Sequence, residues 1–118
     1  MGVLKGRPHI DFVMGVVGGV APTARNVAAM ADNIPEGAHW GVIGISRAQW
    51  MLVATALTLG GSIRVGLEDN LYLPDGTMAT SNGDLIAKAR QMTEDAGRRP
   101  ATVDEAREML GIPTPVLS

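Results

Sequence analysis

Cysteine is absent from the 118 residues, so no disulfide, thiolate nucleophile or thiolate metal ligand is available. That absence fits a cytoplasmic protein that needs no covalent staples. Histidine is scarce: His9 and His39 are the whole supply, and a metal site made wholly within this chain would be poor in imidazole. No apolar run approaches the roughly 18 residues that a membrane-spanning helix needs. The opening Met-Gly-Val-Leu-Lys-Gly-Arg-Pro also lacks the apolar core of a signal peptide. Basic excess is missing too. With 10 Lys and Arg against 12 Asp and Glu, a net charge of −2 leaves no electrostatic footprint for nucleic acid. What remains is length enough for one modest domain with its own core.

Taken in order, residues 8–17 hold the apolar run Ile-Asp-Phe-Val-Met-Gly-Val-Val, which reads as a buried strand ended by Gly18-Gly19. Pro22-Thr23 opens an alanine-rich helix over 24–33, stopped by Ile34-Pro35. A second buried strand covers 39–45. Ser46 can cap a helix over 47–59, with Trp50, Val53, Ala54 and Leu57 on one stripe. Gly60-Gly61 ends that helix and feeds a third strand, 62–68. Leu73-Pro-Asp-Gly76 is a turn, and Ser81 or Asn82 can cap a helix running to about residue 96, its stripe Leu85, Ala89 and Met92. Thr102-Val-Asp-Glu105 has capping-box spacing and starts a short helix ending at Leu110 before Gly111 and Pro113; the tail 114–118 reads as loose.

Near-continuous apolar strands alternating with helices predict an α/β fold of parallel strands covered by helices. Three such strands make an awkward stand-alone sheet with two open edges, and a (β/α)8 TIM barrel needs about 250 residues. The expectation is therefore the last three strand–helix units of such a barrel. Residues 1–118 would be its C-terminal part, entered directly at a strand, with the N-terminal half absent.

The chemistry concentrates in residues 60–72. Ile63, Val65 and Leu67 alternate with Arg64, Gly66 and Glu68, so one face is apolar and the other polar; Asp69 and Asn70 follow at once. In a barrel the polar face points inward and Glu68 reaches the C-terminal rim, where barrel active sites lie. An inward carboxylate there is either a metal ligand or half of an ion pair with Arg64, whose backbone lies about 13 Å lower at ~3.3 Å per residue. Gly15-Val-Val-Gly-Gly19 is either a backbone cradle for an anion or an ordinary tight turn. His9 and His39 begin strands, at the wrong end for a rim site. Trp50 and the methionines read as packing, and Arg98-Arg99 as a solvated turn.

These residues resemble a known family. Gly61-Ser-Ile-Arg-Val-Gly-Leu-Glu-Asp-Asn70, Ser81-Asn82, Gly97-Arg and Ala101-Thr-Val-Asp-Glu-Ala-Arg107 are similar to the C-terminal part of the beta-keto acid cleavage enzymes. The likeness runs through the Val-Gly-Gly loop and the His39-Trp40 strand. It implies a zinc-dependent TIM barrel that condenses a 3-keto acid with acetyl-CoA and cleaves the adduct to acetoacetate and a new CoA thioester. It implies Glu68 as a zinc ligand, Asp69 in the apparatus that deprotonates the substrate, and Arg64 as its orienting or electrostatic support. Partners would be the two small-molecule substrates, with neither nucleic acid nor membrane, in a homo-oligomer once the barrel is complete.

One departure is large. The family's remaining zinc ligands are a His-x-His pair on an early strand, and no such pair occurs here. An early-strand acid and the hydroxyl residues of the substrate pocket are missing as well. The chain so read carries part of a site and is inactive alone. Two rival readings stay open: a non-catalytic half-barrel or scaffold subunit, and another divalent-metal barrel lyase using Glu68 and Asp69.

Overall fold

A computed structural model describes residues 6–115, so the last residues of the tail read as loose, 116–118, lie outside it. Strands β1 (His9–Met14), β2 (His39–Gly44) and β3 (Ser62–Arg64) form one parallel sheet in the order β1-β2-β3. The register sets Phe12 beside Val42 and Val42 beside Ile63. Each strand is followed by a helix: α1 (Ala24–Ala31), α2 (Gln49–Thr58) and α3 (Asn82–Asp95), with α4 (Val103–Leu110) closing the chain. A sequential parallel sheet with intervening helices is the α/β arrangement expected, and it is compatible with part of a barrel. Among the described residues no helix is long and apolar enough to cross a membrane.

Three of the four helices begin where the capping residues said they would. Thr23 Oγ1 accepts the Asn26 N–H at 3.1 Å at the head of α1. Ser81 with Asp84, and Thr102 with Glu105, form reciprocal capping boxes on α3 and α4. Gly111, at φ 65°, ends α4. Arg99 grips Glu105 through both guanidinium nitrogens, at 2.8 and 2.6 Å, and chiefly for that reason the Glu105 carboxyl is lowered to about 2.

Two strands are shorter than the apolar runs suggest. β1 stops at Met14 because Gly15 turns to φ 97°, and a Cβ there would meet the Ile45 carbonyl at 2.8 Å. Gly19 N–H then donates to the Val16 carbonyl at 3.0 Å, so residues 15–19 form a tight turn. β3 ends at Arg64 instead of running on to residue 68. The Gly66 carbonyl accepts N–H groups from Asp69 (3.0 Å) and Asn70 (3.1 Å), which curls the chain away from the sheet. Val65 and Leu67 still pack into the interior, so their alternation reports the buried face correctly but not the strand's length.

The core lies on one side of the sheet. Phe12, Met14 and Val42 pack against Val27 of α1 and Leu52 and Ala56 of α2. A second cluster joins Trp50, Val53 and Leu57 of α2 to Leu85 and Ala89 of α3. α2 is thus buried on two flanks, wider than the single stripe its sequence suggests, and Ala54 falls on its exposed side. Ser46 does not cap it: at φ 61° it opens a short 3-10 turn (Ser46–Ala48), and no side-chain bond caps that turn. Arg98 corrects another expectation. Its Nη1 donates to the carbonyls of Leu57 (3.2 Å) and Gly61 (2.7 Å), tying the turn after α3 to the end of α2 and the loop that follows it.

Strand β2 and helix α2 approach so closely that Gly44 has no room for a side chain: a Cβ would sit 2.5 Å from the Gln49 Cα. Gly44→Ala is expected to cost about 1–3 kcal/mol of stability, as overpacking against backbone does. The check is a lower denaturant midpoint with an unchanged slope.

Candidate active site

The C-terminal ends of the three strands converge. Ile45 N–H donates to the Met14 carbonyl at 2.8 Å, and Ser46 N–H to the Asp69 carbonyl at 2.7 Å, joining the ends of β1 and β2 to the turn after β3. Ser46 is the one non-glycine residue at positive φ among those described, and it makes this contact. Backbone strain of that kind persists only where surrounding contacts hold it.

Asp69 is the buried acid of the turn, its side chain 5 % exposed. Arg64 Nη2 donates to Asp69 Oδ1 at 2.9 Å and Nε to Oδ2 at 3.2 Å, a two-pronged pair that fixes the carboxylate plane. Hydrogen bonding to Asp69, and then its charge, raises the Arg64 guanidinium above its ordinary value. Each Asp69 oxygen has a second lone pair not used by Arg64. The carboxylate is therefore oriented yet still able to accept a proton.

Glu68 differs sharply from its neighbour. Its side chain is 87 % exposed, and its nearest cation is Arg64 Nη2 at 3.9 Å. Continuous alternation would have put Arg64 far below Glu68. The turn at Gly66 shortens that climb and gives Arg64's close contacts to Asp69 instead. Of the ion pairs open to Arg64, the one with Asp69 dominates because it is buried, doubly bonded and shorter.

A second layer holds the turn. Asn70 is buried; its Nδ2 donates to Gln49 Oε1 at 3.3 Å and to the Tyr72 carbonyl, and its Oδ1 accepts the Tyr72 N–H at 3.2 Å. Gln49, fully buried, in turn donates Nε2 to the Gly44 carbonyl at 3.1 Å. Trp50 Nε1 donates to the Tyr72 carbonyl at 2.7 Å, and Asn82 Oδ1 accepts the Leu67 N–H at 2.8 Å. Trp50 is thus packing and anchor together. Gln49 was invisible to sequence reading, because a glutamine in a helix's first turn is ordinarily solvated. Asn70 carried one signal: it follows two acids directly.

Tested as a metal site, these residues fall short. Among the described residues no group of three or more His, Cys, Asp or Glu side chains could hold a metal ion. Asp69 is buried and paired with Arg64, and Glu68 is the exposed carboxylate of the turn. His9 and His39 start β1 and β2, at the opposite end of the strands. His9 Nε2 lies 3.5 Å from Asp11, and the His39 Nε2 is buried with no partner among the described residues. One carboxylate does not make a zinc centre, which takes three protein ligands in catalytic sites. This chain alone does not fit the metal.

A family model described as beta-keto acid cleavage enzyme matches residues 1–112. The chain is 40 % identical over 111 residues to the 3-keto-5-aminohexanoate cleavage enzyme of Fusobacterium nucleatum, covering 94 % of this chain and 40 % of that protein. It is 42 % identical over 104 residues to the enzyme of the same name from Acetoanaerobium sticklandii, covering 88 % and 38 %. To the 3-oxoadipate:acetyl-CoA acetyltransferase of Cupriavidus necator it is 38 % identical over 117 residues, covering 96 % and 41 %. The chain thus spans about two-fifths of the length of these relatives.

Proposed function

Because the chain belongs to the beta-keto acid cleavage enzyme family, we propose that it is the C-terminal part of a (β/α)8 barrel enzyme acting on a 3-keto acid and acetyl-CoA. The complete enzyme joins the two substrates and cleaves the adduct, releasing acetoacetate and a new CoA thioester. The names of the relatives support the substrate classes, since one of them is an acetyl-CoA acetyltransferase acting with 3-oxoadipate. The observation that carries the reading for this chain is the Arg64–Asp69 pair at the strand ends.

The roles proposed here are those the family resemblance implies, and that geometry supports them. Asp69 takes a proton from the carbon between the carboxylate and the keto group, the most acidic C–H of a 3-keto acid. Arg64 aims the carboxylate and balances its charge in a site that becomes drier when the barrel closes over it. Asn70, Gln49 and Ser46 keep the turn from relaxing, so the base does not reorganise during the reaction. Glu68, exposed and free, would supply one carboxylate to a zinc ion whose other ligands would come from outside this chain. Omitting acetyl-CoA should abolish consumption of the keto acid by the complete enzyme; consumption that continues without it would point to a different lyase chemistry.

A partial barrel would carry a physical signature. Among the described residues β1 and β3 each have an open edge, and on the sheet face away from the core Val13 is half exposed, one strand removed from Arg64 across Ile43. Open parallel edges and uncovered apolar surface recruit other chains. The 118-residue chain by itself is expected to sediment as associated species. A compact monomer that unfolds cooperatively would contradict the partial-barrel reading.

A further inference from the structure

A groove of 580 Å³ lies between the head of α2 and the hairpin that follows the acidic turn, lined by Arg47, Trp50, Met51, Asn70, Tyr72 and Pro74 among others. Its volume is in the range of small-ligand sites. Its walls are fixed. The Trp50 indole holds the Tyr72 carbonyl at 2.7 Å, Tyr72 pairs with Met78 across the hairpin, and Leu73 N–H donates to the Thr77 carbonyl at 2.8 Å. Arg47 is the one charged side chain lining it. No ion pair or side-chain hydrogen bond engages that guanidinium among the described residues, whereas Arg64, Arg90 and Arg99 all face acids. On the same groove, Tyr72 is 41 % exposed and Met51 42 %. An unpaired guanidinium next to an open aromatic ring and a thioether is chemistry suited to a phosphate joined to a flat base.

We propose that this groove seats the nucleotide end of CoA, with Arg47 pairing a phosphate and Tyr72 packing against the adenine. The inference rests on the acetyl-CoA reading above and adds where on this chain the co-substrate is recognised. Arg47 is a binding residue, outside the proton-transfer apparatus.

The test is equilibrium binding of CoA and of pantetheine, which lacks the nucleotide, to the complete enzyme and its variants. Arg47→Ala should weaken CoA about 10-fold, the scale of one charge-assisted contact that stays partly solvated. It should leave pantetheine binding unchanged and raise KM for acetyl-CoA with little change in kcat. Arg47→Lys, which keeps the charge without the fork, should recover part of the loss, and Tyr72→Leu should weaken CoA without affecting pantetheine. CoA bound equally by the wild type and both the Arg47→Ala and Tyr72→Leu variants would overturn this assignment while leaving the acetyl-CoA reading intact. A wild-type enzyme that binds no CoA at all would overturn both.

Discussion

Asp69→Asn is expected to slow the chemical step of the complete enzyme by roughly 10²- to 10⁴-fold while leaving its metal content near normal. Asparagine preserves size and removes the acceptor that takes the substrate proton. It also disturbs the pair. Arg64 presents N–H donors to both oxygens, at 2.9 and 3.2 Å, and an amide can answer only one of them with an oxygen. The amide nitrogen then faces a guanidinium N–H, so a modest loss of stability accompanies the loss of rate. Single-turnover kinetics beside metal analysis separates the two consequences. A variant with unchanged single-turnover rate would remove Asp69 from the chemistry.

Glu68→Gln should fail in a different way although the residues are adjacent. Its side chain is almost wholly in water and makes one long contact, so folding should barely notice the change. Metal content and activity should fall together, because a neutral amide is a poor substitute for a carboxylate in a zinc shell, and added zinc should restore part of the turnover. The contrast between the two neighbours comes from one turn: it buries Asp69 against Arg64 and leaves Glu68 outside. If Asp69→Asn lost the zinc and Glu68→Gln kept it, the two roles would be the reverse of those proposed.

The alternation of Ile63, Val65 and Leu67 located the apolar face and the polar stretch, and the capping residues Thr23, Ser81 and Thr102 located the helix starts. These signals are local, and local spacing is what a sequence displays. The end of β3 was not legible, because Val65 and Leu67 continue the strand pattern after the backbone has left the sheet. That one difference brings Arg64 to Asp69, the partner the resemblance implied, rather than to Glu68, the ion pair that alternation left open. Arg98 escaped for another reason: its acceptors, Leu57 and Gly61, lie about forty residues earlier, and Gly-Arg-Arg-Pro looks like any solvated turn. Gln49 and Asn70 are buried polar groups whose bond to each other exists only after α2 has docked on the sheet. Ser46 reads as a cap by residue type, and its left-handed backbone is imposed by the meeting of the strand ends.

The most direct test follows carbon atoms. The complete enzyme is supplied with an unlabelled 3-keto acid and acetyl-CoA labelled in both acetyl carbons. Joining that acetyl group to the two-carbon carboxymethyl piece of the keto acid gives acetoacetate, while the remaining acyl group leaves on CoA. The account predicts label in the methyl and keto carbons of acetoacetate and none in the acyl part of the new thioester. Unlabelled acetoacetate, or keto acid consumed at the same rate without acetyl-CoA, would contradict it.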